Sequence, residues 1–168
     1  NLSGDWNNFF VSAFFQGVGK QDWYPSSESI FWGQYNRPYN NLPEWHLGNY
    51  WTEDNTDAYL PRYAGYNSSL KSTTQTRYLQ NVAYIRLKNL QFGYTLPQEI
   101  VSKAKMQNAR IYISAENLWC WSPLYKHTRD LDITNIYGSD PDLTNGGSGD
   151  GQSYPQMKSI SLGVSVTF

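Results

Sequence analysis

The ten residues Ser159-Ile160-Ser161-Leu162-Gly163-Val164-Ser165-Val166-Thr167-Phe168 alternate small or polar with apolar at every step. With a period of two, Ile160, Leu162, Val164, Val166 and Phe168 share one face of a strand, and Ser159, Ser161, Gly163, Ser165 and Thr167 share the other. Neither face carries a charge. The length matches the roughly 9–11 residues that a tilted strand needs to cross a bilayer, and a terminal Phe suits the aromatic girdle at the membrane interface. No apolar run approaches the ~18 residues of a membrane helix. A chain that spans a membrane without such runs does so as part of a closed β-barrel.

Composition points the same way. Aromatic residues make up 17% and charged residues only 16%, against about 25% charged in soluble domains. Surface built from Tyr, Trp, Asn, Ser and Thr suits aromatic belts and sugar-facing loops. A net charge of -1 gives no electrostatic basis for binding nucleic acid. The single cysteine, Cys120, has no thiol partner for a disulfide or a metal spacing, and is read as a small strand residue between Trp119 and Trp121. The sequence opens at Asn1 with neither initiator Met nor signal peptide, which suggests a processed or excised piece.

Four strands are expected, at about residues 6–18, 84–95, 109–121 and 157–168. The first is apolar on both sides, with Phe10 and Phe14 on one and Phe9, Val11, Ala13 and Phe15 on the other, as for a strand touching a plug inside a barrel. The second changes phase in its middle, which either a one-residue bulge near Lys88-Asn89 or a first half rising above the membrane explains. The third presents Ile111, Ile113 and Ala115 to lipid and Arg110, Tyr112, Ser114 and Glu116 inward. Arg86 and Lys88 are expected to face the lumen, because a basic side chain facing lipid near the midplane costs about 2–4 kcal/mol. Trp119 and Trp121 mark the outer interface.

The connections differ sharply in length. Residues 96–108 read as a short periplasmic turn with one helical turn around Glu99–Lys103. Residues 19–77 and 122–156 read as long extracellular loops, since such barrels keep short turns on the periplasmic side. Strands then run out, in, out and in, with the carboxyl terminus in the periplasm. Four strands cannot close a barrel when the smallest have about eight, so unless identical copies assemble together the chain is expected to be the last part of a larger one.

At this point the residues resemble the carboxyl-terminal end of the SusC/RagA-type TonB-dependent outer-membrane transporters. The resemblance rests on Phe14-Phe15-Gln16-Gly17-Val18-Gly19-Lys20, on Trp51-Thr52-Glu53-Asp54-Asn55 with Ala58 and Pro61-Arg62, and on the run from Tyr84 to Pro97. It continues through Ala109-Arg110-Ile111-Tyr112-Ile113-Ser114-Ala115-Glu116-Asn117-Leu118 and Tyr154-Pro155. Glu53 stands where the family's loop motif commonly has Pro, which bears on the local turn. The resemblance implies a 22-stranded barrel whose lumen is plugged, this chain supplying the last four strands. It implies a SusD-like surface lipoprotein as partner, the TonB complex acting through an amino-terminal region, and import of oligosaccharide or peptide across the outer membrane of a Gram-negative bacterium.

Within that frame Trp32, Trp45, Trp51, Tyr59, Tyr63 and Tyr66 are candidates for a substrate cavity or the lipoprotein interface, against the alternative that they pack the loops together. Gly163, Val164, Val166 and Phe168 would carry the barrel-assembly signal. Asp130 with Asp132, or Asp140, Asp142 and Asp150 with Asn145, offer oxygen ligands for calcium but lack EF-hand order, so a solvated acidic loop is favoured and no cofactor is expected. Glu53 and Asp54 are adjacent on an extended chain and point apart, which argues against a glycosidase pair. His46 and His127 stand without companion ligands and read as loop hydrogen-bonding residues. The expectation is a non-enzymatic import-channel segment, with oligosaccharide as cargo. Its rival is a soluble, aromatic-rich carbohydrate-binding β-sandwich, which would bury one face of each strand and wet the other.

Overall fold

The computed structural model describes residues 1–25, 29–32, 42–63, 75–136 and 155–168. Among these residues seven strands appear in chain order: β1 (Leu2–Trp6), β2 (Phe9–Val18), β3 (Asp22–Trp23), β4 (Gln80–Asn81), β5 (Tyr84–Thr95), β6 (Asn108–Trp121) and β7 (Ser159–Thr167). The chain divides into two compact units. The first comprises Asn1–Gly19, Tyr84–Trp121 and Gln156–Phe168, and the second Lys20–Ala83 and Ser122–Pro155.

The first unit is an antiparallel sheet in the order β1-β2-β5-β6-β7. The four long strands expected from the sequence are present, and a fifth, β1, precedes them. Its signal is weak because Leu-Ser-Gly-Asp-Trp barely alternates, yet the hairpin that creates it has a clear cause. Asn7 and Asn8 both adopt left-handed backbone, with φ of 46° and 68°, between the paired residues Trp6 and Phe9. Two consecutive positive φ values are what a two-residue type I′ turn requires, and Asn tolerates them better than other side-chain-bearing residues.

Register places the apolar residues in rows. Val11, Phe92, Ile113 and Leu162 are successive cross-strand partners, as are Ala13, Leu90, Ala115 and Ile160, and Phe9, Tyr94, Ile111 and Val164. This face is solvent-accessible, with Phe92 and Ile113 each 49% and Leu162 74% exposed. The opposite face carries the row Ser3, Ser12, Gln91, Ser114 and Ser161. Arg110 lies there between Thr95 and Ser165, and Glu116 between Asn89 and Ser159. Trp119 and Trp121 pair with Leu87 and Ile85 and so end the apolar face in exposed rings.

The phase change in β5 is a bulge centred on Lys88. Phe14 and Phe15 are consecutive on β2 but pair with Asn89 and Leu87, leaving Lys88 as the extra residue. On β6 the same irregularity leaves Asn117 and Leu118 between the paired Glu116 and Trp119, with Asn117 at φ 52°. An inserted residue reverses the alternation beyond it, which keeps Ile85 and Leu87 on the face of Leu90 and Phe92. Arg86, nearly buried, pairs with Gln16 and Cys120 on the polar side. Arg86 Nη1 and Lys88 Nζ both donate to Gln156 Oε1, at 2.5 and 3.0 Å.

Between β5 and β6, Pro97 opens one helical turn, Gln98–Val101, and Lys105 in left-handed backbone closes it. This turn, the Asn7-Asn8 turn and the end of β7 lie at one end of the sheet, since Thr95 pairs with Arg110 and Asn108 with Thr167. Both long connections leave from the other end, after Val18 and after Trp121.

Candidate functional site

The second unit holds the aromatic residues singled out in the sequence, and it sorts them into two groups. Trp32, Trp45 and Tyr59 are packing residues. Trp32 is fully buried, donates from Nε1 to Pro25 O at 3.1 Å, and meets Phe31 and Tyr78 edge-on at 5.2 and 5.1 Å between ring centroids. A ring with no exposed surface presents nothing to a ligand, so the substrate-cavity expectation for Trp32 is corrected to a core role. Trp45 lies against Phe31, His46 and His127 at 4.7, 4.4 and 5.2 Å. Tyr59 stacks on His127 at 5.0 Å, and its hydroxyl donates to Arg77 O at 3.1 Å and accepts from Gln80 Nε2 at 2.9 Å.

The two histidines part company. Fully buried His46 makes the expected loop hydrogen bond, from Nε2 to Phe31 O at 2.9 Å. His127 instead inserts its ring between Tyr59 and Trp45, with Nε2 buried and without a partner. Burial, and secondarily the charge of Lys126, hold its pKa below the ordinary histidine value, so the imidazole is neutral at pH 7. Burial likewise pushes the Tyr24 and Tyr78 hydroxyls up. Phe31, Trp45 and Tyr59 belong to the first long segment and His127 to the second, so the two segments share one aromatic core.

Trp51 and Tyr63 form the second group and line open recesses. One, of about 320 Å³, is bounded by Tyr50, Trp51, Thr52, Glu53, Arg62 and Tyr63. A neighbouring one, of about 520 Å³, is bounded by Trp51, Thr56, Ala58, Leu60, Pro61, Arg62, Arg77 and Tyr78. The backbone beneath them is closed on itself. Tyr50 bridges Leu60, Trp51 N donates to Leu60 O at 3.0 Å, and Leu60 N donates to Asn49 O at 2.8 Å. Glu53 and Asp54 are the exposed central residues of a turn closed by Thr52 and Asn55, so the turn forms with Glu in place of Pro. Arg62, noted in the sequence only within Pro61-Arg62, and Arg77 lie 15 positions apart with no local pattern joining them as a pair.

Tyr66, Asp140, Asp142, Asn145 and Asp150 lie outside the described residues. Asp130 and Asp132 are engaged locally. Asp132 Oδ1 accepts from Thr134 N at 3.0 Å and Thr134 Oγ1 at 2.7 Å, and Asp130 Oδ2 accepts from Thr128 Oγ1 at 2.9 Å. Among the described residues no three of His, Cys, Asp or Glu come together as metal ligands.

Comparison with protein-family models finds no match. Two curated proteins of Formosa agariphila are similar. TonB-dependent receptor P3 is 32% identical over 131 residues, which is 71% of this chain and 11% of that protein. TonB-dependent receptor P26 is 30% identical over 118 residues, 70% of this chain and 12% of that protein. Among solved structures, that of the RagAB peptide transporter superposes on 97% of the chain with a TM-score of 0.63 and 26% identity, and the chain covers 16% of it. The chain thus spans about a tenth of the length of the curated relatives it matches.

Proposed function

Because the chain belongs to the SusC/RagA-type TonB-dependent receptors, we propose that it forms part of the barrel wall and cell-surface region of an outer-membrane importer of oligosaccharides. The observation that carries this reading is the single-layer sheet, apolar and exposed on one face and hydroxyl-rich on the other. A soluble sandwich would cover that apolar face with a second sheet. A barrel strand turns it to lipid and the polar face to the lumen, where Arg86, Lys88, Arg110 and Glu116 would be solvated or paired. The Asn7-Asn8 and 96–107 turns then lie in the periplasm with Phe168, and the second unit at the cell surface. The proposed partners are the remaining barrel and plug, a SusD-like surface lipoprotein, and the TonB complex.

Whole-cell uptake tests the reading. Cells lacking the receptor should lose uptake of a fluorescently labelled oligosaccharide pool, and cells lacking TonB should lose it equally. Unchanged uptake in either strain sinks the importer. Loss of labelled peptide uptake alone would transfer the cargo to peptides, the cargo named for the RagAB relative.

In this reading Gly163, Val164 and Val166 on β7, with Phe168 just after it, present the assembly signal, and β7 has no neighbour beyond it in the described sheet. An unpaired strand edge in lipid leaves backbone groups unsatisfied, so β7 must close against another strand of the barrel. Deletion of Phe168 should lower the amount of receptor in the outer membrane several-fold while transport per inserted molecule stays unchanged. A normal level of the deletion mutant would overturn the assignment.

A further inference from the structure

The larger recess of the second unit combines an indole, two guanidinium groups and the hydroxyls of Thr56 and Tyr78, and none of the described residues that line it is acidic. Arg77 is held in place by neutral acceptors, donating from Nη2 to Ala58 O at 2.8 Å and from Nε to Tyr59 O at 3.1 Å, with its guanidinium 5.9 Å from the Tyr59 ring centroid. These contacts orient the group without neutralising it. Arg62 is exposed, and neither arginine takes part in an ion pair among the described residues. Glu53 lines only the adjoining recess, which shares Trp51 and Arg62 with this one, and exposed Asp54 and Asp57 line neither. Two like charges set around one hollow, one of them pre-oriented, favour a bound anion.

We propose that this recess, formed by Trp51, Thr56, Arg62, Arg77 and Tyr78, binds the carboxylate or sulfate ester of an acidic oligosaccharide, with the adjacent sugar ring lying on Trp51. The proposal rests on the import reading above and narrows its cargo. Ring and guanidinium side chains supply the recognition, and the backbone N–H groups of Trp51 and Leu60 at the recess are already engaged. An extended peptide docks by lending its main chain to a free strand edge, and at this recess Trp51 N and Leu60 N are already taken. The flat apolar face of a pyranose needs only the indole, and a planar carboxylate or a sulfate suits the fork of Arg.

The test is binding of the detergent-solubilised full receptor, co-purified with whatever partner it retains, to an array of uronic-acid, sulfated and neutral oligosaccharides and short peptides, followed by calorimetry on the best ligand. Retention on acidic glycans is expected, with affinity that falls as salt rises. Arg62→Gln, which removes a guanidinium without side-chain hydrogen bonds among the described residues, should weaken the acidic ligand about tenfold, the scale of one charge-assisted hydrogen bond. It should leave any neutral glycan unchanged. Trp51→Phe should weaken both classes. Binding of neutral glycans only, or equal loss for both classes in Arg62→Gln, overturns the anion site while the glycan importer stands. Binding of peptides only overturns both, and no retention on any acidic member overturns the anion site.

Discussion

A receptor carrying Gly93→Val is expected to be missing from the outer membrane. Gly93 and Gly163 alternate with aromatic residues in one cross-strand row on the polar face, Phe10, Gly93, Tyr112 and Gly163. A Cβ at position 93 would lie 2.5 Å from Phe10 Cζ and 2.7 Å from the carbonyl oxygen of Ile111. The ring can swing away, but the carbonyl belongs to the ladder between β5 and β6 and cannot. Overpacking of this kind typically costs 1–3 kcal/mol, sometimes more, and displacing a ladder carbonyl adds the loss of its hydrogen bond. Gly163 supplies the contrast, because its three nearest atoms all belong to the Tyr112 ring. Gly163→Ala should therefore assemble nearly normally, with the Tyr112 ring swinging aside, whereas Gly93→Val should not recover even when combined with Phe10→Ala. Heat-modifiable mobility of the receptor on denaturing gels, read on outer-membrane fractions, distinguishes these cases. Normal levels of folded Gly93→Val receptor would show that the row tolerates a side chain there.

The second large effect separates the two faces of the sheet. Ile113→Lys should destabilise the folded barrel by about 2–4 kcal/mol, the cost of a basic side chain facing lipid near the midplane. That is a factor of roughly 30 to 1,000 in the folding equilibrium. Ser114→Lys, one residue along the same strand on the opposite face, should change stability by less than about 1 kcal/mol, because surface substitutions that touch no special feature are nearly neutral. Denaturant-driven unfolding in lipid vesicles measures both. Equal effects at the two positions would mean that the apolar face of Phe92, Ile113 and Leu162 does not meet lipid.

What the sequence disclosed follows from the range over which its signals act. Strict alternation in β6 and β7 assigns every residue to a face without knowledge of its neighbours, and the apolar rows fall where that alternation puts them. The break in phase at Lys88 was legible for the same reason, and register identifies the bulge as its cause. β1 was missed because its turn chemistry lies in two asparagines whose left-handed backbone becomes evident only when Trp6 and Phe9 are seen to pair. In the second unit local pattern fails altogether. Trp32 and Trp51 are the same residue type in similar sequence surroundings, yet one is sealed beneath Phe31 and Tyr78 and the other borders two recesses. That difference arises from contacts between positions far apart in sequence, as does the meeting of Arg62 and Arg77 around one hollow.

The ring of His127, lodged between Tyr59 and Trp45, limits how such receptors can be recombined. A chimaera made by exchanging residues 20–83 for those of a relative would carry away Trp45 and Tyr59 and leave His127 facing rings it was not shaped for. Exchange of 122–155 alone would remove the histidine from a slot that only an aromatic-sized ring fills. The shared aromatic core can therefore pass between relatives intact only when both segments travel together, as one graft with four junctions at residues 19/20, 83/84, 121/122 and 155/156.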